Sequence, residues 1–157
     1  MSRQNFNSVM QKPFQEIVNN HLSEILLPCD NRLELSEQLR IINLLHTTSY
    51  PQIVAQQQFT KNEWSILKIL LEYYPNYVSY HILLAGITSL SPTASYERLQ
   101  DMQKKGGTVL RQELKPVYRV LSILRLKLGR LSPYIKISLI REIGYALVIM
   151  AEVSESS

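Results

Sequence analysis

At 157 residues with 45% hydrophobic content, the chain can bury one core, so one domain, or one domain with an extension, is expected. Seventeen Lys and Arg against thirteen Asp and Glu leave a net charge of +4. The lone Cys29 excludes a disulfide within the chain, and Cys29, His21, His46 and His81 show no metal-ligand spacing, so neither a metal nor a cofactor is expected. No apolar run approaches the roughly 18 residues that span a bilayer. The start, Met1 to Phe6, lacks an apolar signal core, and these features together predict a cytoplasmic protein without membrane contact.

The polar ends, residues 1–11 and 152–157, are expected to fray, with a disordered tail over 151–157. Between Pro13 and Leu27, the residues Phe14, Ile17, Val18, Leu22, Ile25 and Leu26 share one helical face, and Pro28 is a stop. Glu34 to His46 repeats the pattern with Leu35, Leu39, Ile42 and Leu45. These spacings predict an N-terminal helical extension over residues 1–50. It could serve homodimerisation or partner docking, or pack as an extra core layer. A phosphate-accepting receiver domain is excluded, because about 50 residues with no βα alternation cannot build one. Pro51 to Phe59, with Ile53, Val54, Ala55 and a Gln56 to Gln58 run, gives a weak strand pattern.

Thr60 opens the best-marked helix. Its hydroxyl and the Glu63 carboxylate form a capping box, Trp64, Leu67, Leu70 and Leu71 give the buried face, and Pro75 and Asn76 end it. A second helix is expected from Ser79, burying Ile82, Leu83 and Ile87. Ser91 and Pro92 then start a stretch of helical spacing (Tyr96, Leu99, Met102) that stops at Gly106 and Gly107. That stretch is either an inserted helix or the second helix of a helix-turn-helix. In both cases Arg98, Lys104 and Lys105 could lie near a DNA backbone.

From Lys115 to Leu128, Val117, Val120, Leu121, Leu124 and Leu128 form one buried stripe, with Pro116 placed for the first helical position and Gly129 as the end. Tyr118, Arg119, Ser122, Ile123, Arg125 and Lys127 occupy the other faces. Taken alone, this is equally a core helix with a solvated cationic side. After Pro133, Ile135 to Ile140 alternates with Lys136 and Ser138, and Tyr145 to Ile149 is β-branched and aromatic, which predicts two strands. Arg141 to Gly144 is a turn of hairpin length, where Gly144 can take a positive φ. A basic helix followed by a hairpin is the plan of a winged-helix DNA reader.

The segments Phe59 to Leu67, Leu124 to Leu128 and Ile137 to Tyr145, in that order, resemble the OmpR/PhoB-type output domain of bacterial response regulators. The resemblance covers residues 59–148 and implies a mainly α (α+β) winged helix-turn-helix with a C-terminal β-hairpin wing, over 51–150. It also implies DNA reading by the helix 116–128, with the 88–114 segment available to RNA polymerase or another regulator. The chain departs from that family at Glu142, which replaces a wing glycine, at Tyr118, Val120 and Ile123 on the reading helix, and in a longer connection before it.

Charge is segregated along the chain. Residues 98–141 hold eleven Lys and Arg against Asp101 and Glu113, a local +9, whereas residues 1–97 sum to −2 and 142–157 to −3. This is the footprint of a polyanion-binding surface, beside the alternative of lysine-rich solubility. The expected function is a sequence-specific double-stranded DNA-binding transcription regulator, bacterial or phage in type, acting as a dimer. Arg119, Ser122 and Arg125 would face bases or phosphates, and Ile123 a thymine methyl. Lys115, Lys127 and Arg130 would neutralise phosphates, and Lys136 and Arg141 would lie on the wing. Tyr118 either donates to a phosphate or packs. The competing expectation is a winged-helix adaptor or anti-repressor that binds protein. No nucleophile-and-base pair, phosphate-cradling loop or carboxylate cluster suggests an enzyme.

Overall fold

The stretches from Leu22 to His46 satisfy a helical period and a strand period at once, and the structure takes the second. The computed structural model describes residues 14–17, 22–46, 50 and 52–150. Strands β1 (Phe14–Ile17), β2 (Leu22–Leu27), β3 (Asn31–Ser36), β4 (Ile41–His46) and β5 (Gln52–Gln58) form an antiparallel sheet in sequence order. Leu33 on β3 faces Ile25 on one side and Leu44 on the other, and Leu35 faces Ile42, so alternate residues build one apolar face. Cys29, Asp30 and Arg40 adopt left-handed φ of 62°, 57° and 52° to close the two hairpins. Val54 is an extra residue on β5, between the pairs Leu44 with Ala55 and Leu45 with Ile53.

The helices expected over 13–27 and 34–46 are therefore corrected to strands where the structure describes them, while Pro13 and residues 18–21 lie outside the described residues. With them goes the expected winged helix-turn-helix with a helical extension, because five strands precede the first helix and the chain is α+β. Dimerisation through N-terminal helices loses its basis in the same way. The expected fraying of residues 1–11 and the tail 151–157, like His21, lies outside the described residues.

Four helices follow: α1 (Lys61–Tyr73), α2 (Tyr80–Ile87), α3 (Pro92–Lys105) and α4 (Gly107–Leu131). The Thr60 capping box is present, with the Glu63 N–H donating to Thr60 Oγ1 at 3.3 Å and the Thr60 N–H to Glu63 Oε1 at 3.2 Å. Ser91 caps α3 by accepting from the Ala94 N–H at 3.1 Å. Gly106, at φ 124°, breaks the chain between α3 and α4. Ile66, Leu67 and Leu70 of α1, Leu83 and Leu84 of α2, and Leu121, Leu124 and Leu128 of α4 join Ile25, Leu33 and Ile42 of the sheet in one core. Helix α3 buries little beyond Ser95 and part of Leu99, and lies on α2 and α4 at the surface.

Helix α4 begins nine residues earlier than Pro116 predicted. Pro116 is inside it on the solvent side, where the exposed Gln112 carbonyl, deprived of its donor, can turn to water. The hairpin β7 (Ile135–Ile140) and β8 (Gly144–Ile149) forms as expected, and β6 (Tyr77–Ser79) adds to β8 in the order β6-β8-β7. Glu142 takes the positive φ in its turn, at 65°, and Gly144 does not. Gly144 is needed instead for close approach, since a Cβ there would stand 1.8 Å from the Val78 carbonyl oxygen.

Candidate nucleic-acid interface

Burial of Leu114, Val117, Leu121, Leu124, Leu128 and Leu131 fixes which side of α4 meets solvent. That side carries Arg111, Lys115, Arg119 and Ile123 at four-residue steps, then Leu126 and Arg130, with Ser122 beside them; all are exposed. At 1.5 Å per residue, the row from Arg111 to Arg130 spans about 28 Å. Among the described residues, ion pairs join Arg32 to Glu24, Lys68 to Glu37, Arg98 to Glu113, and Lys127 to Glu63. Arg111, Lys115, Arg119 and Arg130 have no such partner among those residues, so their charge is free to meet an anion. Arg98, held by Glu113, fastens α3 to α4.

Five of the ten expected contact residues thus share this face: Lys115, Arg119, Ser122, Ile123 and Arg130. Lys136 and Arg141 are exposed on β7 and in the hairpin turn, with Glu142 next to Arg141. Three others are engaged in packing. The Lys127 ammonium donates to Glu63 Oε1 at 2.5 Å and to the Gln58 carbonyl at 2.9 Å, and it stands 5.5 Å from the Phe59 ring centre. Burial pushes the Glu63 carboxyl up, but Lys127 and Thr60 together outweigh it and hold the group below the ordinary carboxylate range. Arg125 donates through Nε to the Ile137 carbonyl at 3.1 Å and lies over the Tyr145 ring, which ties α4 to β7 and β8. Tyr118 packs edge-on to Tyr80, and burial raises its hydroxyl pKa.

Arg111 and Leu126 belong to the exposed face and were missed from the sequence. Stepping back four residues from Lys115 reaches Arg111, but Pro116 taken as a helix start concealed it. Among the described residues, no group of three or more His, Cys, Asp or Glu could hold a metal ion, and no helix is long and apolar enough to cross a membrane. No protein-family model, curated protein or solved structure matches the chain.

Proposed function

We propose that the chain is a double-stranded DNA-binding regulator that presents the solvent side of α4 to the major groove, with the β7–β8 turn beside it. The observation that carries this is the row of exposed cations with no ion pair among the described residues, Arg111, Lys115, Arg119 and Arg130, on one helix inside the +9 segment. Such a row neutralises phosphates and releases their counterions, which supplies sequence-independent affinity that falls with salt. Ser122, Ile123 and Leu126 stand between the cations, so they are the side chains placed for base edges. Ile123 and Leu126 have no hydrogen-bonding group and suit the thymine methyl. Lys136 and Arg141 would extend the cationic surface from the hairpin.

Fluorescence anisotropy at two salt concentrations, with random duplex and with genomic fragments from around the chain's own gene, tests this. Steeply salt-dependent binding that is tighter on some fragments is the expected result. Absence of binding at low salt would refute it. A second assignment, a protein partner on the same surface, draws on the apolar exposure of Ile123, Leu126, Leu139 and Ile143 beside the Glu142 carboxylate. It predicts that acidic residues of a partner protein protect α4 while DNA does not.

A further inference from the structure

A groove of about 840 Å³ opens between α2, α3, the middle of α4 and the β7–β8 turn; none of the residues assigned to DNA lines it, although Arg141 adjoins Glu142 at its edge. Tyr80 and His81 enter it from α2, Tyr96 from α3, Tyr118 from α4, and Glu142 from the turn. The rings are held by one another. Tyr80 meets Tyr118 edge-on with centroids 6.3 Å apart, and His81 meets Tyr96 at 5.1 Å. Burial lowers the pKa of His81, so that ring is neutral near pH 7.

The sign of this groove is opposite to that of its surroundings. No Lys or Arg lines it, although residues 98–141 carry +9, and its one acidic side chain is that of Glu142. Glu142 makes no ion pair among the described residues. Arg111, the cation that bears on the Tyr118 hydroxyl, lies two helical turns away along α4 and does not line the groove. Tyrosine rings present negative π faces, which attract a cation whose charge is spread over alkyl groups and whose hydration is weak. An anion would find no Lys or Arg in the lining, only neutral donors such as Ser79, Gln100 and Gln103, and would be repelled by Glu142; a neutral ligand could gain a hydrogen bond from the carboxylate but no charge pairing.

We propose that the groove walled by Tyr80, Tyr96 and Tyr118 and closed by Glu142 is a binding site for a small organic cation of the alkylammonium class. The aromatic walls take the alkyl groups and the carboxylate takes the charge.

Choline and dimethylbutanol, its uncharged isostere, separate the charge from the shape. Titrated into the full chain and followed by NMR, choline is expected to give saturable shifts at Tyr80, Tyr96, Tyr118 and Glu142, with the isostere about tenfold weaker or more. Glu142→Gln is at an exposed turn position and should weaken choline about five- to tenfold without moving the thermal midpoint. Tyr96→Leu, at a half-exposed ring, should weaken it further. Equal binding of the isostere, unchanged affinity in Glu142→Gln, or no saturable shift at these residues would overturn the proposal. None of these readouts involves DNA.

Discussion

Replacing Lys127 with methionine keeps the aliphatic stem and removes the ammonium that meets Glu63 and the Gln58 carbonyl. The Glu63 side chain is 6% exposed and that of Lys127 18%, so the variant leaves a carboxylate buried with Thr60, whose N–H is 3.2 Å away, as its remaining hydrogen-bond partner. Removing one partner of a buried pair costs about 3–5 kcal/mol, and the surviving capping bond puts this case near the low end, about 3 kcal/mol. For a chain of this length that is a fall in Tm of about 6–12 °C at pH 7, read by differential scanning calorimetry. The pH dependence carries a second signature. In the parent, Glu63 is depressed below 4.5 in the folded state, so its stabilisation is present above the unfolded value and is lost as pH falls through the folded one. In Lys127→Met the lowering by the ammonium is absent, so protonation of Glu63 relieves the variant first and the gap to the parent narrows on acidification. The double variant Glu63→Gln, Lys127→Met should recover part of the loss, because the two sites act as one unit. A variant that melts within about 2 °C of the parent, and loses DNA affinity as Lys115→Ala does, would refute the structural role given to Lys127.

Lys115→Ala and Arg119→Ala should each weaken binding to every duplex and lower the salt slope by about one, measured by anisotropy across a salt series. Arg125→Ala should instead leave the slope unchanged and cost about 1 kcal/mol of stability in urea, from the lost Ile137 and Tyr145 contacts. Replacing thymine with uracil throughout a preferred site should weaken binding to that site and leave random duplex unaffected, if Ile123 and Leu126 meet the methyl groups. Gly144→Ala must push β6 off β8 and should cost about 2 kcal/mol, whereas Gly129→Ala, with nothing within 4 Å of the added Cβ, should gain about 0.5–1 kcal/mol from helix propensity. Thermal or urea melts of the two glycine variants decide this pair by sign.

Helix punctuation was legible in part, where it is local. Pro116 and Gly129, expected to bound a helix, lie inside α4, and Ser79 makes no capping hydrogen bond, but other signals are obeyed. Thr60 and Glu63, Ser91 and Ala94, and Gly106 act within one turn of chain, and each does in the structure what its residue type implies. The exposed cations of α4 follow from the same logic once its leucine stripe is placed. The first half of the chain was not legible in this way. Leu33, Leu35, Ile42 and Leu45 fit both periods, and the turns that decide for strands contain no glycine; Cys29, Asp30 and Arg40 take left-handed φ unannounced. Glycine 144 misled in the opposite sense, being required by the approach of Val78 from β6 and not by its own turn.

From its sequence alone the chain determined where α1, α3 and the β7–β8 hairpin lie, and that cation is concentrated between residues 98 and 141. Both are properties of neighbours along the chain. Only the tertiary structure decided that residues 22–46 pair as strands, since that depends on cross-strand partners such as Leu33 and Leu44. It also decided which cations of α4 are engaged by other described residues. Lys127 is neutralised by Glu63, 64 residues before it, and Arg125 is held by a carbonyl on β7, so their charge is committed by contacts no local pattern reveals.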